Sequence, residues 1–243
     1  MKKQLLAIAV VAFVAGTVMM TSCKKEDTTG PTITLTGSAA ITQSLPGTAG
    51  AGSWTEPGVT AEDDEDGNVT ANVTITIKDA GNVTRTGTEM ANRKGSYVIT
   101  YSVSDKAGNA SSVTRTVDIT NDAEYLSGIY GLSTDSCAVG GGPFPWSGDQ
   151  PDVMTSDTVN NLIKINNFGA FGQSINIWAT VSGTNLNIAL NQGLGGTAYI
   201  QNIYTTTPNP TGITSTIAPT AFTVKYQWND GTNSDVCVSW YRR

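Results

Sequence analysis

Residues 95–109 read GSYVITYSVSDKAGN, and this stretch decides the fold class. From Tyr97 to Val103 its residues alternate in the way of a strand that buries one face. The following Ala107-Gly108-Asn109 has the composition of a turn, and residues 113–117 (VTRTV) alternate again. The stretch therefore predicts two β-strands separated by a turn.

The same pattern extends toward the N-terminus. Residues 32–36 (TITLT) and 73–77 (VTITI) also alternate, and residues 66–68 (DGN) and 80–82 (AGN) are turn signals. Short alternating strands with frequent turns are typical of antiparallel sandwiches. We expect an all-β sandwich over residues 31–120, called the first unit below.

Two segments of the first unit carry a family resemblance. Residues 61–70 (AEDDEDGNVT) contain an acid-x-acid-acid-Gly turn, and residues 95–109 contain the pattern Gly-x-Tyr-x-x-x-Tyr-x-Val-x-Asp-x-x-Gly-Asn. On these residues the unit resembles bacterial immunoglobulin-like (Ig-like) domains of unknown function found in surface proteins and crystal toxins. The resemblance implies a seven-stranded sandwich that serves as a spacer or adhesive module, without catalysis.

The acidic turn is the chemically suggestive part of the first unit. Its acids at positions 62, 64 and 66, followed by Gly67, are spaced like the oxygen ligands of a calcium loop. Position 12 counted from Glu62 is Val73, so the closing glutamate of an EF-hand is missing, and a site would need a ligand from the other turn. A solvated turn remains the alternative. The candidate calcium ligands are Asp63, Asp64, Asp66 and Asp105.

A polar joint at residues 121–124 (NDAE) precedes a second unit, residues 125–243. Ile175, Ile177, Ala179 and Val181 share one strand face there, and Trp178 lies on the other. Alternation recurs in residues 186–190, in Phe222, Val224, Tyr226 and Trp228, and in Val236, Val238 and Trp240. Adjacent strands with short turns predict an up-and-down meander, closed or nearly closed into a barrel.

Three segments of the second unit carry a further resemblance: residues 125–130 (YLSGIY), 167–172 (NFGAFG) and 237–241 (CVSWY). On these residues the unit resembles the lipocalin-like C-terminal domains of Bacteroidetes lipoproteins. A lipocalin has Gly-x-Trp near its first strand, whereas this chain has Gly128-Ile129-Tyr130. The resemblance therefore does not imply that this unit carries a ligand inside a barrel. The predicted fold is thus all-β, an Ig-like antiparallel sandwich followed by a lipocalin-like antiparallel barrel or sandwich.

Two features of the second unit suggest specific chemistry. Cys137 and Cys237 share one exported unit, which predicts a disulfide; a reactive thiol would need an activating neighbour, and the chain has no histidine. The loop at residues 140–151 (GGGPFPWSGDQP) is long and unpatterned. Its aromatic residues could stack on a sugar, or could fold back over one end of the barrel. The candidate ligand-binding residues are Phe144, Trp146, Asp149 and Gln150.

The N-terminus predicts the cellular address. Two lysines and an apolar run over residues 5–18 precede residues 20–23 (MTSC), a pattern that resembles a bacterial lipoprotein signal with lipidation at Cys23. Residues 24–27 (KKED) resemble the export tag that directs Bacteroidetes lipoproteins to the outer face of the outer membrane. An ordinary signal peptide with an incidental cysteine, and a merely solvated charge run, are the alternatives. We expect a signal peptide at residues 1–22, a flexible tether at 23–30, and the lipid as the only membrane anchor.

Composition excludes several classes of function. The formal net charge is −6, and loss of two lysines with the signal peptide makes it −8, so nucleic acid is not an expected partner. The absence of histidine excludes Ser-His-Asp and Cys-His catalysis and histidine-based metal centres. No cofactor is expected apart from a possible calcium ion.

Three functions remain open. In the first, the Ig-like unit is a spacer that presents a β-domain which binds a glycan or a surface protein. In the second, the protein is a structural subunit of an outer-membrane uptake complex. The third, a glycoside hydrolase with two carboxylates, is disfavoured because no glutamate follows Glu124 and no acid lies in a recognisable catalytic motif. We expect a non-catalytic protein.

Overall fold

The first unit folds into two β-sheets. The computed structural model describes residues 26–130, 134–137, 141–145, 150–168, 175–183, 185–188, 192–195, 198–203 and 221–243. Strands β1 (Thr32–Leu35), β3 (Val59–Asp63) and β4 (Gly67–Asn68) form one sheet in the order β1-β3-β4. Strands β2 (Ala40–Ser44), β5 (Thr74–Asp79), β6 (Thr84–Arg85), β7 (Gly95–Ser104) and β8 (Ala110–Thr120) form the other, in the order β2-β8-β7-β5-β6.

The four predicted strands of the first unit are present as β1, β5, β7 and β8. The resemblance implied seven strands, and the structure has eight in this unit, of which β4 and β6 are only two residues long. The pairing of β2 with β8 is parallel, so the unit is not wholly antiparallel. This pairing arises because the chain turns at Gly37 (φ +78°) and crosses from the sheet of β1 to the other sheet.

The predicted 95–117 stretch forms the longest hairpin of the unit, with β7 and β8 paired from Gly95–Ile119 to Ser104–Ala110. Its inward residues Tyr97, Ile99 and Tyr101 are buried, as the alternation requires. Asp105 builds the turn, since its Oδ1 accepts hydrogen bonds from the backbone N–H groups of Gly108 and Asn109 at 2.6 and 2.8 Å.

A buried arginine fastens the two sheets of the first unit together. Arg115, on β8, has no solvent exposure. Its guanidinium donates to the carbonyls of Ser38 and Thr36, each at 2.8 Å, and to the Tyr101 hydroxyl at 3.1 Å. Tyr101 in turn donates to Glu56 Oε1 at 2.5 Å, and burial with this hydrogen bond raises the pKa of Tyr101 to about 12.

One short helix was not predicted. Helix α1 (Gly87–Ala91) begins with a capping box, in which Thr86 Oγ1 accepts from Glu89 N and Glu89 Oε2 accepts from Thr86 N. It buries Met90 and Ala91. Five residues are too few to show helical periodicity, although the Thr-x-x-Glu pattern was visible in the sequence. Two 3₁₀ turns, Thr70–Asn72 and Glu124–Leu126, complete the non-strand elements of the described chain.

The second unit contains two larger sheets. Its strands are β9 (Gly128–Ile129), β10 (Thr134–Cys137), β11 (Gly141–Pro145), β12 (Asp152–Thr155), β13 (Leu162–Asn166), β14 (Ile177–Ser182), β15 (Asn185–Ile188), β16 (Gly193–Gly195), β17 (Ala198–Ile203), β18 (Ala221–Asn229) and β19 (Ser234–Arg242). Six strands pair in the order β11-β10-β19-β18-β17-β16, and five in the order β15-β14-β13-β12-β9.

This strand order is that of an up-and-down meander divided into two sheets. Most neighbours are consecutive in the chain, and the last strand, β19, pairs with β10 near the start of the unit. Among the described residues, β11 does not pair with β12 and β15 does not pair with β16, so the described strands form two separate sheets. Both sheets contribute to one core, in which Phe222 stacks on Tyr241 with ring centroids 4.5 Å apart.

The alternating residues Val236, Val238 and Trp240 do not form the inner face of β19. Cys237, Ser239 and Tyr241 point inward, whereas Trp240 is exposed and Val236 and Val238 are half-buried. Both faces of this strand carry apolar residues, so alternation alone does not identify the inner face. The disulfide and the aromatic stack of Tyr241 determine it, because both lie on the other set of residues.

The polar joint connects the two units through buried hydrogen bonds. The Asn121 side chain is 2% exposed, and its Nδ2 donates to the carbonyls of Ser156 and Val159, each at 3.0 Å. Its Oδ1 accepts from Ala123 N and Asn161 N, each also at 3.0 Å. A buried amide with all its groups paired favours one geometry of the joint, because any other arrangement leaves those groups unpaired.

Candidate functional site

An exposed row of side chains crosses the outer face of the five-stranded sheet in the second unit. Met154 on β12 pairs with Lys164 on β13, which pairs with Trp178 on β14. Met154 is 52% exposed and Trp178 is 43% exposed, while Lys164 is half-buried between them. We call these three residues the Trp178 row.

The sequence places Trp178 outside because successive strand residues point to opposite faces. Ile177, Ala179 and Val181 enter the core, so the face that they share is the inner face of β14 and Trp178 lies on the outer one. The backbone of Trp178 is held in position by Gln192, whose Oε1 accepts from Trp178 N at 2.7 Å and whose Nε2 donates to Trp178 O at 2.9 Å. The indole is therefore exposed on a fixed backbone.

The chemistry of the row suits a ligand with both apolar and polar faces. A large aromatic ring offers a flat apolar surface, and tryptophan is enriched among residues that dominate binding energy. Lys164 offers a cation directly across the strands from the indole. The exposed residues Asn176 and Thr180 lie two positions from Trp178 on either side of it, and add hydrogen-bonding groups.

Trp240 provides a comparison within the same unit. It is 42% exposed, on β19 of the six-stranded sheet. Its register partners on the neighbouring strands are Thr134 and Thr223, so it has neither a lysine nor a methionine directly across from it. The two tryptophans thus have equal exposure and different surroundings.

The predicted ligand-binding loop is partly a strand. Residues 141–145 form β11 at the edge of the six-stranded sheet, opposite β10, and Phe144 is the register partner of Asp135. An edge strand tolerates the prolines at positions 143 and 145, which is why a Gly- and Pro-rich segment can pair here. Gln150 is exposed, and its carbonyl accepts from Asn167 Nδ2 at 3.1 Å. Trp146 and Asp149 lie outside the described residues.

The acidic turn of the first unit forms part of a carboxylate cluster. Asp27, Asp63 and Asp105 each place one carboxylate oxygen within 4.8 Å of the other two. Asp63 and Asp105 were predicted candidates, and they are only 8% and 9% exposed. Asp27 comes from the tether and was missed, because nothing in its local sequence indicates that the tether folds back onto this turn.

The other two predicted ligands lie outside this cluster. Asp66 is paired with Lys106, whose Nζ lies 2.7 Å from Asp66 Oδ1 and whose backbone N donates to Asp66 Oδ2. Asp64 is exposed to solvent. The even spacing of the acids therefore does not place them all on one site, because the turn directs Asp63 inward and its neighbours outward.

Hydrogen bonds from the surrounding backbone and side chains hold the carboxylates of Asp105 and Asp63 in place. Burial raises the pKa of Asp105, but hydrogen bonds from the Asn109 side chain and from the backbone N–H groups of Asn109 and Gly108 outweigh that effect, and the pKa lies below its ordinary value. Asp63 Oδ1 accepts from Glu65 N and Asp66 N at 3.0 and 2.8 Å, whereas its buried Oδ2 has no hydrogen-bond partner.

Two cysteines are joined in the second unit. Cys137 on β10 and Cys237 on β19 are register partners and form a disulfide, with Cα atoms 4.1 Å apart. Asp235 lies near the two sulfur atoms, but the oxidised cysteines have no thiolate to bind a metal. The predicted lipidation site, Cys23, lies outside the described residues.

Comparison with known proteins addresses the first unit. Residues 33–119 match the family model of the Ig-like domain of bacterial surface proteins. The expected Ig-like character of this unit is thereby confirmed. The first unit is thus similar to domains that bacteria use in surface proteins, and no curated protein sequence matches the chain.

Two solved structures show distant likeness. One is the crystal structure of a lipoprotein from Bacteroides thetaiotaomicron, with 17% identity and a TM-score of 0.34 over 87% of this chain and 100% of that one. The other, from Clostridium perfringens ZmpB, contains CBM51-2 in complex with GlcNAc and INT domains; it has 14% identity and a TM-score of 0.26 over 87% of this chain and 44% of that one. At these TM-scores neither likeness bears on function. In the described part of the chain, no helix has the length and hydropathy needed to span a membrane.

Proposed function

We propose that the protein is a non-catalytic, lipid-anchored lipoprotein on the outer face of the outer membrane, and that its second unit binds a glycan. Support for the anchor comes from the sequence around Cys23 and from the family match of residues 33–119 to surface-protein domains. The first unit acts as a spacer between the lipid and the second unit. The signal peptide, the lipid and the lipocalin-like character of the second unit belong to this proposal.

The Trp178 row is the observation that carries the binding role. Exposed tryptophan on a rigid strand loses little conformational freedom when it binds, because its backbone is already held by Gln192. The flat indole stacks against the apolar face of a sugar ring, and the flanking polar groups bind its hydroxyls. Trp146, Phe144, Asp149 and Gln150 remain sequence-based candidates for a second contact.

One carboxylate at the joint and one in the second unit support the non-catalytic proposal, since both have structural partners. Glu124 binds Lys94 and Thr155 at the joint. Asp230 closes the β18–β19 turn by accepting from Thr232 N and Asn233 N at 2.9 and 2.6 Å. A glycoside hydrolase would instead need two carboxylates facing one cleft.

A glycan array probed with residues 24–243 tests the proposal. We expect binding to a restricted set of glycans that residues 125–243 retain. An array without specific binding would contradict the glycan proposal. A pull-down from detergent-solubilised membranes is carried out in parallel. Stoichiometric recovery of transporter subunits, together with an array that shows no binding, would favour the alternative of a structural subunit.

A further inference from the structure

We propose that Asp27, Asp63 and Asp105 bind a calcium ion that clamps the tether to the end of the first unit. The three residues belong to separate segments: the tether, the end of β3, and the turn between β7 and β8. Their oxygens converge although they are distant in sequence. A cation there would hold the three segments together.

Asp63 provides the independent reason to place a cation here. Its Oδ1 is occupied by two backbone N–H groups, and its Oδ2 is buried without a hydrogen-bond partner in the described structure. A buried carboxylate oxygen without a partner is unfavourable, and three converging carboxylates repel one another. The amine of Lys106 binds Asp66 and acts on Asp63 only through its charge, so it gives Asp63 Oδ2 no hydrogen-bond partner.

The donor set favours calcium among common metal ions. All three ligands are carboxylates, which suit a hard cation, and calcium accepts irregular geometry with water completing its six to eight oxygens. Zinc prefers nitrogen and sulfur ligands. The chain has no histidine, and Cys137 and Cys237 are used in the disulfide. Magnesium requires a nearly ideal octahedron and is the natural control.

The tether already lies against the first unit at this point. Asn109 Nδ2 donates to the Asp27 carbonyl at 3.2 Å, and Thr29 N donates to Asp27 Oδ1 at 3.0 Å. Gly30 approaches Ser111 so closely that an added Cβ would lie 2.9 Å from its Oγ. Asp27 is four residues after Cys23, so a cation bound here leaves only three residues between the proposed lipid anchor and the clamped part of the chain.

The test uses the purified mature protein in calcium, in magnesium and in chelator, with two readouts. Binding to the folded state raises the melting temperature. A clamped tether also slows tryptic cleavage after Lys25, which mass spectrometry detects as a specific N-terminal cut. We expect both effects in calcium, a weaker effect in magnesium, and neither in chelator.

Three variants separate the ligands from their neighbours. Asp27→Asn and Asp63→Asn should weaken calcium binding by about tenfold or more, because the number of charged ligands sets the affinity of such sites. Asn at position 63 keeps an oxygen for the backbone N–H groups of the turn. Asp64→Asn, exposed in the same turn, is the matched control and should behave as the wild type.

Three results would overturn the proposal. The first is a wild-type melting temperature that is the same in calcium and in chelator. The second is a calcium-dependent shift that Asp27→Asn retains in full, which would mean that the tether is not part of the site. The third is protection of the Lys25 bond that does not depend on calcium.

Discussion

Lys94 of the first unit lies 3.1 Å from Glu124 of the joint, and both side chains bind the Thr155 hydroxyl. The Lys94 backbone N also donates to the Asp157 carbonyl at 2.8 Å. The two units thus share a charged contact beside the buried Asn121. This contact and the Asn121 network are expected to keep the second unit at a constant orientation.

Acid should weaken the joint. Burial raises the pKa of Glu124, but hydrogen bonds from Thr155 and Lys94 outweigh it, so its pKa in the folded state lies below the ordinary value of 4.5. The stabilisation is therefore complete above that value and is lost as pH falls through the folded-state pKa. Protonation of Glu124 should lower the free energy of unfolding by no more than about 1 kcal/mol, because the Lys94–Glu124 pair is partly exposed.

Unfolding in urea at pH 7 and at pH 3.5 measures this effect. Glu124→Gln should lower stability at pH 7 and reduce the part of the acid sensitivity that this group causes. Asp152→Asn provides the control for loss of an acid elsewhere in the second unit. If the free energy of unfolding of Glu124→Gln depends on pH as that of the wild type does, Glu124 does not cause the acid sensitivity of the joint.

Asn121→Ala should destabilise the joint much more than Glu124→Gln does. It leaves buried carbonyls of Ser156 and Val159 and buried N–H groups without partners, and each such group costs about 1–3 kcal/mol. We expect a loss of about 3 kcal/mol and a broader distribution of interunit distances in small-angle scattering. Asn160→Ala is the control because Asn160 is only half-buried at the same joint, and equal losses in both variants would contradict the role of burial.

The sequence predicted the parts of the structure that depend on local alternation. The β7 and β8 strands, their turn, and the separation of Trp178 from the apolar face of β14 all follow from period-two patterns. The place of Asp27 in the carboxylate cluster could not be predicted in this way, because the tether reaches Asp63 and Asp105 only by folding back onto residues distant in sequence. The edge strand β11 was missed because its glycines and prolines are typical of loops, and the inner face of β19 because both faces are apolar.

Arg115 should be essential to the first unit. Arg115→Met removes the donors to the Thr36 and Ser38 carbonyls and leaves Glu56 and Tyr101 without their cation. Breaking one side of a buried ionic network costs about 3–5 kcal/mol. Lys78→Met, an exposed cation on β5, should change stability by less than about 0.5 kcal/mol. Comparable urea midpoints for the two variants would contradict this assignment.

Removal of the disulfide should destabilise the second unit. Cys137 and Cys237 are 100 residues apart, and in the chain-entropy model closing such a loop contributes roughly 4–5 kcal/mol. The double variant to alanine should lower the unfolding midpoint. Thiol labelling of the unfolded, unreduced mature protein should detect no free Cys137 or Cys237, and labelling of both would show that the bond is absent.

The most direct test of the proposed function compares two tryptophans of equal exposure. Trp178→Ala and Trp240→Ala both remove an exposed indole from a strand, but only Trp178 lies in the row with Lys164 and Met154. Binding of each variant to the glycan that the array identifies is measured by titration calorimetry. We expect Trp178→Ala to bind more than about tenfold more weakly, as for a hot-spot residue, and Trp240→Ala to bind as the wild type does. Wild-type affinity in Trp178→Ala would contradict the assignment of the recognition surface.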